Sequence, residues 1–456
     1  MKKIIIATFL TAVLFSCKKI SEEKNVLQPD VTVSTASSNR TVSTSSIVQW
    51  QRPFGSSANE YPLGNVIVAA PGGGYVIAGN TLGNDGDVSG NHGAADAWII
   101  KLNVLNGVEW KYTYGGSASD YVYAIAATSD GGYIFAGQSK STNGDVTINK
   151  GGYDVWVVKL DATGNKLWQK TYGGTADEQA NAIIQTSDGG YLIAANTQSN
   201  DGDVSGNHGG SDAWMLKLDA LGTLLWQKTY GGSLSENASF ILPTPDGNYM
   251  ISAQSNSTNG DLLALVHHGG NDAWLFKIDG AGNLLWQKTY GGSGNEGGGT
   301  VFNNSDGGYI LSTATSSNNG DVSGNHGYYD TWVVKIFPDG NIDWQKCYGG
   351  TDMDNARVRN INAAGQILVV GYTFSKNGDI TGTKGGEDFW TLLLDGNNLG
   401  KILFSKNLGG RNSDTGEDAV ANADGTYMAV GRTDSNDGDV SGNHGLSDLW
   451  IVKFKF

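Results

Sequence analysis

The stretch Asp154-Val155-Trp156-Val157-Val158-Lys159-Leu160, followed by Asp161-Ala162-Thr163-Gly164-Asn165 and then Lys166-Leu167-Trp168-Gln169-Lys170-Thr171-Tyr172, reads as two strands joined by a tight turn. Large aromatic and β-branched residues occupy both faces of the first segment, which suits a strand covered on either side. The Asp/Gly/Asn turn has hairpin chemistry, because glycine and asparagine tolerate the left-handed backbone that a short return requires. Working outward, the same unit recurs every 58 to 60 residues. Asp-x-Trp stands at Asp96/Trp98, Asp154/Trp156, Asp212/Trp214, Asp272/Trp274, Asp330/Trp332, Asp388/Trp390 and Asp448/Trp450. A second Trp recurs at Trp50, Trp110, Trp168, Trp226, Trp286 and Trp344, with Phe404 at the seventh place, and these two positions account for all 13 Trp.

Each repeat resolves into four short strands. In the second, strand A follows Tyr-Gly-Gly (Tyr123 to Thr128) and strand B follows the turn Ser129-Asp130-Gly131-Gly132 (Tyr133 to Gly137). Strand C is the Asp-x-Trp run (Trp156 to Leu160), and strand D runs from Lys166 to Tyr172. A period of this length marks a propeller or another repeat array. The ends choose between them. The repeats open on a lone strand D (Ile47 to Phe54) and finish on a strand C (Trp450 to Phe456), so each end lacks what the other has. An open solenoid would want capping repeats, and none are evident. The expectation is an all-β, seven-bladed propeller over 47–456, closed by the N-terminal strand completing the last blade.

Composition agrees. The 456 residues include 67 Gly but only 7 Pro, with no triplet period, which excludes collagen-like and low-complexity chains. The net charge is −15, a poor match for nucleic acid or an anionic lipid surface. No nucleic-acid partner is expected.

The grammar Asp-x-Trp-[Ile/Val]-Val-Lys-Leu, Thr-Tyr-Gly-Gly, an acid, Ser-Asp-Gly-Gly-Tyr resembles the bacterial seven-bladed β-propeller repeat family, and the resemblance implies fold and export more than chemistry. Asp161 to Trp168 is also similar to the repeat of quinoprotein propellers, but the vicinal cysteines typical of their alcohol-oxidising members are missing; no organic cofactor is expected. At the N-terminus, Lys2 and Lys3 precede an apolar run from Ile4 to Phe15, shaped like the core of an export signal. Leu14-Phe15-Ser16-Cys17 resembles the lipobox of bacterial lipoproteins, which implies cleavage after residue 16 and lipid on Cys17. Residues 17–46, polar and rich in Ser and Thr, read as a flexible tether. The chain is therefore expected at the cell envelope, anchored to the outer membrane by lipid and facing the periplasm or the exterior. Cys347, the other cysteine, stands where sister repeats carry Thr171, Thr229 and Thr289, so no intrachain disulfide is expected once Cys17 is acylated.

Alternating strand direction puts the D-to-A and B-to-C loops on one face. One acid precedes each strand A: Glu60, Asp120, Glu178, Glu236, Glu296, Asp354 and Asp414. With strand A innermost these would ring the mouth of a central channel, either as a focused cation site or as acceptors for amides of their own blades. The B-to-C loops carry a second pattern. Asp85, Asp87, Ser89 and Asp96 fall at places one, three, five and twelve of a twelve-residue loop with Gly at six, the spacing that gathers oxygens about calcium. It recurs at Asp201/Asp203/Ser205/Asp212, Asn319/Asp321/Ser323/Asp330 and Asp437/Asp439/Ser441/Asp448. Asp-Gly and Asn-Gly also make ordinary turns, and an Asp before a strand can simply cap nearby amides. All six His lie in these loops, four of them alone in an Asn-His-Gly turn, so no metal is assigned to them.

No nucleophile elbow, zinc-protease run or phosphate-cradling loop is present. The departures from the repeat are Leu262 to His268, Tyr328-Tyr329, Arg357, Arg359, Lys384 and Arg411. The functional expectation is a non-catalytic binding or scaffolding module, calcium-stabilised if the loops bind that ion, whose partner is an envelope protein or a glycan. The alternatives are a lectin-like glycan binder or a glycan-active enzyme at the channel, and a quinone-dependent dehydrogenase.

Overall fold

The computed structural model describes residues 47–456. The signal segment (1–16), Cys17 and the tether (17–46) lie outside the described residues. Among the described residues no helix is long and apolar enough to cross a membrane.

Seven antiparallel sheets form a ring, each with strand A innermost in the order A-B-C-D. Blade three is representative: A is Glu178–Gln185, B is Tyr191–Thr197, C is Asp212–Leu218 and D is Leu224–Tyr230. Strands B and C are covered on both faces, and alternate residues face opposite neighbours. Trp214 and Leu216 pack towards blade two, whereas Ala213 and Met215 pack towards blade four. All seven strand-C Trp are at most 1% exposed. The core is thus a set of inter-blade layers, and losing one such Trp to Ala is worth about 3–5 kcal/mol.

The ring closes as the termini require. Val48–Phe54 pairs antiparallel with Asp448–Phe454, with Pro53 opposite Trp450. On the inner side, Val66 N–H of blade one donates to Asp418 Oδ2 of blade seven at 2.7 Å. One boundary differs from the sequence reading: strands A and C begin at their acids, as in Asp120–Ala127 and Asp154–Leu160, and not three or two residues later.

Strand D explains the second Trp and the Tyr of Tyr-Gly-Gly. Trp110 and Tyr114 reach across to the C-to-D turn of the next blade, where Trp110 Nε1 donates to Ala162 O at 3.3 Å and Tyr114 Oη to Gly164 O at 2.5 Å. Gly164 has φ +87°, and a Cβ there would lie 2.8 Å from the Tyr112 ring and 3.0 Å from Trp110. The turn needs glycine for its backbone and for its neighbour. The same Tyr bond recurs from Tyr290 to Gly340 O at 2.8 Å. Blade seven has no C-to-D turn, because its strand D arrives from the other end of the chain. Strand D of blade six accordingly carries Phe404 and Leu408 where those of blades one to five have Trp and Tyr, and the Phe404 ring lies 5.3 Å from Phe456.

Two inner strands are broken. In blade one strand A splits into Glu60–Tyr61 and Ile67–Ala69 around Pro62, which has no amide to give the ladder. In blade five Gly297, Gly298 and Gly299 precede a short strand, Thr300–Asn303.

Candidate functional site

The two acid series named from sequence meet, but inside the joints between blades. Every strand-A acid is at most 1% exposed. Each accepts the second amide of Tyr-Gly-Gly: Gly116 N–H to Asp120 Oδ2 is 2.6 Å, Gly174 to Glu178 Oε2 2.8 Å, Gly232 to Glu236 Oε2 2.7 Å and Gly292 to Glu296 Oε2 2.9 Å. Asp354 and Asp414 take Gly350 at 2.6 Å and Gly410 at 2.7 Å, and Glu60 takes Ser56 at 2.7 Å. A hydroxyl ending strand B adds a second bond, as Thr197 Oγ1 does to Glu178 at 2.8 Å. The expected ring of carboxylates about the channel mouth is therefore a ring of buried acceptors. Their amide and hydroxyl partners offset the cost of burial.

The strand-C acids are buried beside them. Oδ2 of Asp96, Asp212, Asp330 and Asp448 accepts the amide of a residue four earlier, His92, His208, His326 or His444, at 2.9–3.0 Å. The same His Nδ1 stands 2.6–2.7 Å from that oxygen. Lys150 and Lys384 occupy this place in blades two and six, their amides at 2.7 Å from Asp154 and 2.9 Å from Asp388. Oδ1 of Asp96, Asp154, Asp212, Asp272, Asp330 and Asp448 has no hydrogen-bond partner. It faces the strand-A acid of the following blade: a Cβ on Gly115 would lie 2.4 Å from Asp96 Oδ1 and 2.9 Å from Asp120 Oδ2. Burial, with Asp120 adding to it against the bonds from His92, pushes Asp96 up to about 6. Asp154 is pushed up to about 6 in the same way, beside Glu178.

The calcium-loop spacing resolves into divergent bonds. Place one clasps the preceding D-to-A turn, Asp85 taking the Ser57 amide and hydroxyl at 2.7 Å each and Asp201 taking Thr175 at 2.8 and 2.9 Å. Asn319 and Asp437 do the same with the amides of Ser293 at 2.8 Å and Arg411 at 2.9 Å. Place three turns to the first Gly of the Tyr-Gly-Gly, Asp203 to Gly173 at 3.1 Å, Asp321 to Gly291 at 3.2 Å and Asp439 to Gly409 at 3.3 Å, while Asp87 holds Lys111 at 2.8 Å. At place five Ser205, Ser323 and Ser441 accept from strand-D glutamines Gln227, Gln345 and Gln51 at 2.5–2.8 Å, and Ser89 gives its carbonyl to Thr113 at 3.0 Å. Place twelve is the buried Asp already described. Among the described residues no three His, Cys, Asp or Glu side chains stand together as a metal-holding group. The expected outcome of thermal melts in millimolar calcium and in a chelator is one Tm; a calcium-dependent rise of several degrees would show that the loops rearrange around an ion.

At the axis the blades stop matching. Residues one and three places after each strand-A acid alternate with the buried chain and face the channel. The first of these positions holds Tyr61, Tyr121, Gln179, Asn237, Gly297, Asn355 and Thr415. The second holds Leu63, Tyr123, Asn181, Ser239, Gly299, Arg357 and Glu417. Blades one and two build an aromatic wall. The Tyr121 ring is 6.5 Å from Tyr123 and 6.3 Å from Tyr153, and Lys140 Nζ sits 5.2 Å over Tyr153. Burial first, and then Tyr121, pushes the Tyr61 hydroxyl up to about 12, so it stays a neutral donor.

Next to that wall, Gln138, Gln179, Asn196, Gln198 and Asn237 line a recess of about 300 Å³ with Tyr153 and Asp177. Asn196 is committed to Ala238 N–H at 2.8 Å, whereas the side-chain amides of Gln138, Gln198 and Asn237 bond to nothing among the described residues. Blade five supplies only glycines, which leaves a gap in the wall. Blades six and seven close it with Tyr372, Arg357, Glu417 and Arg432, the last paired with Glu387 at 3.2 Å.

Of the departures noted in the sequence, Arg357 reaches the channel. Arg359 is buried in an ion pair with Asp418 at 3.4 Å, Arg411 pairs with Asp437 at 2.5 Å, and Tyr328 is exposed on a loop. Leu262 is buried at the end of a 3-10 turn, Gly260–Leu262. The alternation along strand A marks Tyr61, Tyr121, Tyr123 and Asn237 as channel-facing once the acid is taken as its first residue, whereas Gln138, Gln198 and Tyr372 come from strand B or its end and carry no such signal.

No family model matches the chain. Among curated proteins it is similar to Regulatory protein FlaEY of Caulobacter vibrioides, 25% identical over 309 residues that make up 64% of this chain and 31% of that one. It thus spans about a third of that relative. Among solved structures it is similar to an ulvan lyase of polysaccharide lyase family PL25 bound to -[GlcA(1-4)Rha3S]-, with TM-score 0.55, 11% identity, and coverage of 87% of this chain and 97% of that one. A protein of unknown function from Dyadobacter fermentans gives TM-score 0.47 and 11% identity over 90% and 99%. Likeness at this level concerns the fold.

Proposed function

We propose that the propeller is a non-catalytic glycan-binding module, held at the cell envelope by lipid on Cys17. The observation that carries this is the axial funnel. Its aromatic wall lies beside free side-chain amides, at the positions where a fold-serving repeat would be uniform. Sugar rings present C–H faces that pack on aromatic rings and hydroxyl edges that pair with amides. Tyr121 and Tyr153 offer the first surface, and Gln138, Gln198 and Asn237 the second. The structural likeness to a polysaccharide lyase is consistent with a funnel able to admit a chain of sugars. The envelope placement rests on Leu14-Phe15-Ser16-Cys17.

The test is a glycan array followed by calorimetry. Wild type is expected to bind at least one oligosaccharide, and Tyr121→Ala and Gln198→Ala each to weaken that binding about tenfold, the equivalent of about 1.4 kcal/mol. Binding unaltered in both variants, or absent from the whole array, would remove the funnel as a glycan site. Turnover of the bound glycan would replace a binding module with an enzyme.

A further inference from the structure

Arg357 is the cation on the axis that the fold does not use. Its neighbours show what use looks like. Arg359, two residues on, donates to Asn65 Oδ1 at 2.7 Å and to Glu417 O, and pairs with Asp418 at 3.4 Å. Arg432 pairs with Glu387 at 3.2 Å. The Arg357 side chain makes no hydrogen bond and no ion pair among the described residues, although the chain has 45 acids against 30 Lys and Arg. The nearest acid in its recess, Glu417, is held elsewhere by Gly64 N–H at 2.9 Å.

The place is also free of structural duty. Its equivalents are Leu63, Tyr123, Asn181, Ser239, Gly299 and Glu417, so no common contact has to be made there. Arg357 is half-buried, and it borders both a recess of about 210 Å³ shared with Tyr123, Asn181, Ser239 and Thr300 and a cleft between blades six and seven. Holding a guanidinium partly away from water with no ion-pair partner costs free energy. The close Arg359 adds repulsion: burial displaces the Arg359 proton equilibrium downward, and Arg357 adds to that against Asp418 and Glu417. An incoming anion would relieve both.

We propose that the glycan this funnel takes is acidic, and that Arg357 receives its oxyanion, a uronate carboxylate or a sulfate ester, through two parallel N–H···O bonds. The inference rests on the glycan reading above and sharpens it. A planar guanidinium matches either group two oxygens at a time. The Ser239 hydroxyl beside it suits the sugar that carries the group, and the Tyr123 ring suits its apolar face.

The experiment is calorimetry at low salt with three probes of equal length: an oligogalacturonate, a sulfated galacto-oligosaccharide and a neutral cello-oligosaccharide. At least one acidic probe is expected to bind about tenfold or more tightly than the neutral one, with a preference that shrinks as salt is added. The two acidic arms distinguish carboxylate from sulfate. Arg357→Gln is expected to weaken the preferred acidic probe about tenfold more than the neutral one, with Arg357→Lys in between. Because the side chain bonds to nothing in the fold and its burial is a cost, Tm is expected to hold or to rise slightly in Arg357→Gln, which separates lost recognition from lost structure. Equal affinity for acidic and neutral probes in wild type, or equal losses for both in Arg357→Gln, overturns the acidic specificity and leaves glycan binding standing. Failure of all three probes and of the array overturns both.

Discussion

A chain deprived of Ile47–Phe54 is expected to lose its cooperative thermal transition or to melt about 15 °C or more below the intact protein, and to self-associate. The strand removed is the outer edge of blade seven, and its partner Asp448–Phe454 would be left with an unpaired ladder along Leu449 to Phe454. Phe54 is fully buried in one layer with Trp98, Leu449 and Ile451. Its loss alone is worth about 3–5 kcal/mol, against a total stability of about 5–15 kcal/mol for an ordinary domain. An exposed strand edge next to such apolar residues also pairs with other chains. A permutant that carries Ile47–Phe54 after Phe456, joined by a copy of the turn Asp161 to Asn165, is expected to restore the monomer and most of the Tm. That rescue distinguishes a missing sheet edge from general damage. A truncated chain that stays monomeric with an unchanged melt would mean that ring closure contributes nothing.

That closure was legible in the sequence because it rests on counting strands, and a Trp fixes each count. So was the burial of strand C, since Val155 to Leu160 leaves neither face polar. What sequence obscured were partners brought in from elsewhere. Asp85 and Ser57 are 28 residues apart, on different connections, so the spacing within the loop gives no sign that Asp85 clasps the preceding turn. From sequence the acids fall just before strand A, in the D-to-A connections, whereas Asp120 and Glu178 in fact open their strands. Here Asp120 does so because Gly116 N–H, Ser139 and Ser141 are waiting for it. Repetition then has a physical meaning: Gly164, Tyr114 and the paired acids recur because every joint poses the same problem. Arg357 does not recur because the channel-facing places on strand A make no contact common to all the joints.

The paired acids also set how the ring responds to pH, and the sign follows from their burial. Asp96 and Asp154 are pushed up to about 6, and Glu60, Asp212, Asp330, Asp354, Asp414 and Asp448 are raised as well, in every case chiefly by burial. A carboxyl whose folded-state value lies above its unfolded value takes up its proton earlier in the folded chain. Acidification through pH 6 therefore favours folding, and the gain is complete only below the unfolded value near 4. Opposing groups act lower down. Hydrogen bonds, from Asn165 first at Asp161, from Thr186 and then Lys217 at Asp188, and from Thr426 first at Asp424, hold these acids at about 2. Their contribution is lost as pH falls from about 4 to 2. The protein is expected to be most stable near pH 4–5, with a Tm about 3–6 °C higher than at pH 8 and a steep fall below pH 3. Changing Asp96→Asn together with Asp154→Asn puts an amide where each unpartnered oxygen faces the next blade's acid. The pair should raise Tm at pH 8, because a donor replaces a repelling charge, and should flatten the rise between pH 8 and pH 5. A wild-type Tm that falls steadily from pH 8 to pH 5, or an Asn pair that lowers Tm at pH 8, would mean that the buried carboxylates at the joints are charged and satisfied in a way that these hydrogen bonds do not provide.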